Sequence, residues 1–129
     1  MSKNSKGSII GLVLAVPIVV IAVLMSKQKA VDFLALAYAL IVGVYLGFVL
    51  LDGRRRELLF EIAAIAAFTP LAFLGLWVSP YFLAAGYFAH GSWDILHHPH
   101  LVRTRVFNLW PPLCLVVDWI VAGFIVWWW

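Results

Sequence analysis

Five predominantly apolar runs, separated by short polar or charged interruptions, take up nearly all of the 129-residue chain. Each run holds roughly 17 to 21 residues, the length an α-helix needs to cross the hydrocarbon core of a bilayer. The pattern predicts an all-α polytopic membrane bundle of five transmembrane helices in one membrane domain, residues 1–129. The predicted spans cover about 8–25, 31–51, 58–78, 80–98 and 112–129.

The interruptions carry ordinary helix punctuation. Met1 to Gly7 is polar and positively charged. The first run ends at Ser26-Lys27-Gln28-Lys29 without a small-x-small cleavage pattern and is therefore read as a retained span. Asp52-Gly53-Arg54-Arg55-Arg56-Glu57 is a tight charged turn. Ser79-Pro80 reads as an N-cap followed by proline at the first helical position, and Pro111-Pro112 opens the last run after a loop with Arg103 and Arg105. Pro70 predicts a kink in the third helix. Gly43 and Gly47, in GxxxG spacing, predict that a neighbouring helix packs closely against the second. Trp127-Trp128-Trp129 suits an interfacial aromatic belt.

Composition turns this pattern into a statement about solvent. With 65% hydrophobic and 12% charged residues and a mean hydropathy of +1.03, the chain is too apolar for a soluble domain. The net charge of +3 acts as a topology signal and implies no nucleic-acid partner. Lys3, Lys6, Arg54, Arg55, Arg56, Arg103 and Arg105 fall on one side of a five-span chain, Lys27 and Lys29 on the other. Seven against two of the nine basic residues predicts a cytoplasmic amino terminus and an outward carboxyl terminus. Cys114, the single cysteine, lies in an apolar run, where it reads as a small buried hydrophobe with no disulfide partner.

The candidate chemistry lies between Tyr87 and His100, YFAHGSWDILHHPH, which holds all four histidines. Ionisable groups inside a span are costly and therefore functional candidates. At about 1.5 Å per residue, Glu61 lies roughly 5 Å into the third span, Asp94 about 7 Å from the end of the fourth and Asp118 about 9 Å into the fifth, all from the arginine-bearing side. His90, Asp94, His97 and His98 share an arc of about 100°, with Tyr87 and Gly86 on the same side. His90 and Asp94, or Asp94 and His98, are one turn apart and can share a metal or a proton. His90 and His98 are about 12 Å apart and cannot bind one ion. A metal site, with zinc or non-haem iron as the fitting ions, has to recruit Glu61, Asp118 or His100, or else hold two ions. A purely structural reading has Asp94 bonded to a histidine of its own helix, His97 and His98 at the helix end, and Arg103 or Arg105 paired with Glu61 or Asp118. A proton path uses the same groups. A serine-hydrolase reading of His90, Ser92 and Asp94 fails, because Ser92 projects about 160° from His90.

The string from His90 to His98, HGSWDILHH, resembles the HG-x-WD-x-x-HH pattern of small bacterial integral membrane proteins of uncharacterised function. It also resembles, more distantly, a histidine region of the Brp/Blh-like carotene-cleaving membrane oxygenases, which are longer and richer in histidine. The resemblance implies that His90, Asp94, His97 and His98 act together in a protein of the bacterial inner membrane. Two functions stay open: a metal-dependent enzyme acting on a lipid-soluble substrate near the cytoplasmic face, and a non-catalytic accessory or structural subunit of a larger membrane complex.

Overall fold

The computed structural model describes residues 2–97 and 101–129; His98, Pro99 and His100 lie outside them. Five helices follow one another: α1 (Lys3–Leu24), α2 (Lys27–Asp52), α3 (Arg55–Trp77), α4 (Pro80–His97) and α5 (Trp110–Trp128). Local chemistry sets the ends. The Ser2 hydroxyl accepts from the Ser5 N–H at 3.1 Å, capping α1. Gly53 closes α2 at φ +71°, a left-handed conformation that costs a residue without Cβ little. At α4 the Ser79 hydroxyl accepts from the Tyr81 N–H at 3.4 Å, with Pro80 in the first helical position. Pro111 and Pro112 occupy the first turn of α5, where a missing N–H leaves no bond unmade.

Helix α5 packs most extensively on α4 and α1, while α3 lies between α2 and α4. Both ends of the bundle can be recognised by their charges. At one end Arg54 holds both Asp52 oxygens at 2.8 Å and also donates to the Arg103 carbonyl, and the Arg105 N–H donates to Asp52 at 3.0 Å. At the other, Lys27 donates to the Trp128 carbonyl, with its ammonium 4.9 Å from the Trp128 ring and 5.2 Å from that of Trp129. Helix α4 runs from one end to the other, because Pro80 shares a cavity with Lys27 and Trp129 while His97 shares one with Lys3 and Arg103.

Four helices, α1, α2, α3 and α5, are long and apolar enough to cross a membrane. Helix α4 is not among them, because His90, Asp94 and His97 reduce its apolar character. Those groups are buried, whereas large apolar side chains such as Leu12, Val13, Leu40, Leu50, Leu59 and Val126 face outward. An apolar exterior around a polar interior suits a bilayer as solvent.

The glycine expectation fails for α2. A Cβ added at Gly43 or Gly47 meets nothing within 4 Å, and both residues are exposed. Close helix packing is carried instead by α1, whose buried residues Gly7, Gly11, Ala15 and Ala22 face α5 and the core. GxxxG spacing is symmetric in sequence, so it records that two helices can approach without saying which face has a neighbour. Because Gly47 sits on an open helix face, Gly47→Ala is expected to leave the unfolding free energy within about 0.5 kcal/mol of wild type or raise it, measured by denaturant titration in detergent.

Candidate metal centre and the paired carboxylate beside it

The inward face of α4 presents Tyr87, His90, Asp94 and His97, all buried. Its sequence allows this because Gly86 and Gly91 lie on the same side. A Cβ at Gly86 would come within 3.1 Å of the Tyr38 ring, and one at Gly91 within 2.7 Å of Trp119 and 3.1 Å of the Asp118 Cβ. The missing Cβ at Gly91 is what lets α5 bring Asp118 up to His90.

His90 Nδ1 lies 2.7 Å from Asp118 Oδ2 and 3.8 Å from Asp94 Oδ2. Tyr45 of α2 donates its hydroxyl to Asp94 Oδ1. One ligand atom from each of His90, Asp94 and Asp118 lies within 4.8 Å of the others, so this buried group can hold a metal ion. Two of its oxygens, Asp94 Oδ2 and Asp118 Oδ1, are buried without a hydrogen-bond partner among the described residues. Zinc ligands at 2.0–2.1 Å in tetrahedral array are about 3.3 Å apart, a spacing that the observed 2.7 and 3.8 Å bracket. The walls around His90 are aromatic: Tyr45, Phe68 and Tyr38 have ring centroids 5.3, 5.9 and 6.3 Å from the imidazole.

A second group lies toward the arginine-bearing end. Glu61 of α3 meets His97 Nε2 at 2.8 Å and accepts from the Thr104 hydroxyl at 2.7 Å and the Trp93 indole N–H at 3.3 Å. His97 Nδ1 lies 3.1 Å from the Trp93 carbonyl, which can only accept, so Nδ1 carries a proton. The proton on the other side of the ring is shared with Glu61. It makes either an imidazolium with a carboxylate or a neutral pair with Glu61 as donor. The Tyr45 ring stands between the two groups, 5.3 Å from His90 and 5.0 Å from His97.

The candidates from the sequence therefore divide. Asp118 joins His90 and Asp94, whereas Glu61 pairs with His97. His98 and His100 lie outside the described residues. Among the described residues, neither Arg103 nor Arg105 pairs with Glu61 or Asp118; Asp52 is the carboxylate that Arg105 approaches. Among the described residues, Asp94 takes its hydrogen bond from Tyr45, while His90 of its own helix stands 3.8 Å away. Ser92 faces outward and donates to the Phe88 carbonyl at 2.8 Å, as its position on the helix predicts. Sequence reading missed Tyr45 and Thr104. Tyr38 and Tyr45, seven residues apart in an otherwise apolar run, put two hydroxyls on one face of α2, which was the available signal. Nothing local marks Thr104, which reaches Glu61 from the loop after α4.

The sequence model of DUF6010, a family of unknown function, matches residues 6–129. No curated protein matches the chain, and no solved structure does.

Proposed function

Because the chain belongs to the DUF6010 family, whose function is unknown, its own site has to carry the functional reading, and we propose that it is a metal-dependent membrane enzyme. In this reading His90, Asp94 and Asp118 hold one divalent cation, and the substrate is lipid-soluble. The observation that carries it is a pair of buried oxygens, Asp94 Oδ2 and Asp118 Oδ1, that stand beside a histidine and have no partner among the described residues.

Charge permits the cation. Two carboxylates and a neutral imidazole around a divalent ion sum to zero, the cheapest state for a site inside a bilayer. The metal-free alternative is also neutral if Asp94 is protonated and Asp118 pairs with an imidazolium. That alternative leaves the proton on Asp94 Oδ2 without an acceptor among the described residues, a buried group costing about 1–3 kcal/mol. Carboxylate and imidazole donors suit zinc or non-haem iron(II). Such an ion supplies Lewis-acid activation of an oxygen, and three protein ligands leave a coordination position open. Tyr45 orients Asp94, and Gly91 holds Asp118 in register with His90. The packing of Val42, Tyr45, Glu61, Ala64, Ile65, Phe68 and Trp93 around His90 leaves no room for a water molecule and shields that side of the imidazole from solvent.

Elemental analysis of the purified chain tests the proposal. One zinc or iron per chain is expected in the wild type. A chain that purifies without a stoichiometric ion, and takes none up after stripping and reloading, would sink it.

The same reading makes the chain one membrane domain with five spans, α4 included, since α4 reaches both ends of the bundle. The arginine-bearing end is then cytoplasmic, in a bacterial inner membrane, and the metal group lies toward that side. A periplasmic reporter fused after Trp129 is expected to be active; activity from a cytoplasmic reporter there would mean that one helix does not cross.

A second reading, an accessory subunit of a larger membrane complex, draws support from the outward Gly43 and Gly47, which offer α2 a close-packing face for a helix of another chain. It expects Gly43→Leu and Gly47→Leu to release a copurifying partner and requires no metal.

A further inference from the structure

The arginine-bearing end of the bundle holds a concavity of about 470 Å3, within the size range of small-ligand sites. Its walls bring Lys3 of α1 together with Arg103 and Arg105 of the α4–α5 connection, and its described lining contains no Asp or Glu. Cations on this side of a membrane protein are expected for topology alone, and a topology signal needs neither a concave shape nor a fixed backbone. Here both are present. The Arg103 carbonyl is held by Arg54 and the Arg105 N–H by Asp52, so the segment bearing the two guanidinium groups is pinned to the α2–α3 turn. The wall opposite is stiffened by Pro111 and Pro112. His97 and Thr104, 4% and 6% exposed, also line the concavity, and both are bonded to Glu61.

We propose that this concavity binds a dianionic phosphate group. Guanidinium groups recognise phosphate oxygens through paired N–H donors, and two arginines with one lysine outweigh a charge of two. The first turn of α1, which contributes Lys3, contains no acidic residue to oppose the anion. Arg105 comes no nearer to Asp52 than 3.9 Å through its side chain, and that side chain is 81% exposed, so its guanidinium can turn to a ligand. The concavity shares no residue with His90, Asp94 and Asp118, so the proposal is independent of the metal. The phosphate is that of a lipid headgroup or of a water-soluble molecule.

The test uses the full chain in phosphatidylcholine nanodiscs with chelator present. One arm adds phosphatidic acid to the bilayer and counts retained lipid by native mass spectrometry; the other titrates inorganic phosphate by calorimetry. Saturable binding of one equivalent is expected in at least one arm. The Arg103→Gln/Arg105→Gln pair is expected to weaken it about tenfold or more. The Arg55→Gln/Arg56→Gln pair removes the same charge from the same end without touching the concavity and is expected to change binding by less than about twofold. Phosphatidic acid retained with no response to inorganic phosphate identifies a headgroup site; the reverse identifies a soluble phosphate. If the first pair lowers the thermal midpoint, Lys3→Gln on α1 replaces it, with weaker binding again expected. No saturable binding in either arm, or equal weakening by the two arginine pairs, overturns the proposal.

Discussion

Asp118→Asn is expected to remove the metal from the purified chain and to make its stability insensitive to chelators. The amide keeps the size of the side chain but loses the charge that binds a cation, and losing one of three protein ligands should weaken binding by at least about a hundredfold. Wild type with metal bound is stabilised by about 2.7 kcal/mol when free metal exceeds the dissociation constant a hundredfold, and a chelator removes that increment. The variant has no such increment to lose. Its own destabilisation should be about 1–3 kcal/mol, the cost of weakening a buried hydrogen bond to a charged group, since His90 Nδ1 lies 2.7 Å from Asp118 with both side chains enclosed. Thermal midpoints of wild type and variant, each with and without chelator, separate the two effects. Equal midpoints for chelated and untreated wild type, together with a full metal complement in Asp118→Asn, would show that the three residues are a satisfied polar network instead of a metal centre.

Gly11→Leu is expected to disrupt the bundle, in contrast to Gly47→Leu. A Cβ at Gly11 would lie 2.4 Å from the Leu113 carbonyl oxygen and 3.1 Å from the Val116 Cβ. Leu113 meets it with backbone, which cannot rotate aside, so α1 and α5 must separate along their length. Overpacking usually costs about 1–3 kcal/mol, and a four-carbon side chain forced against a helix backbone belongs at or beyond the upper end of that range. Gly47→Leu should stay within about 0.5 kcal/mol of wild type. Unfolding by sodium dodecyl sulfate from a mild detergent measures both. The Gly11 variant should also lose metal, because α5 carries Asp118 and moves with the α1–α5 contact. A Gly11→Leu chain of wild-type stability would mean that α1 packs elsewhere.

Five helices and their punctuation are legible along the chain because four of them have the length and apolar content that a bilayer imposes on a crossing segment and α4 is opened by Ser79-Pro80, and both signals can be read without knowing the neighbours. That Glu61, Asp94 and Asp118 all lie nearer the arginine-bearing ends of their runs is equally legible, since rise per residue is fixed by helix geometry. So is the grouping of His90, Asp94 and His97 on one face of α4. Which carboxylate meets which histidine is a different kind of fact. It depends on how far α3 and α5 are rotated about their axes, and rotation is set by the side chains that pack between helices. Gly91 lets Asp118 reach His90, while Thr104 and Trp93 keep Glu61 beside His97. The same dependence made two glycines on α2 misleading and two on α1 decisive: both pairs permit close approach, and only the arrangement of the bundle supplies α1 with a helix there. Tyr45, forty-nine positions from the Asp94 it bonds, enters the site for that reason alone. Spacing within one helix is a local property of the chain. Convergence between helices is a property of their packing, which the tertiary structure decides.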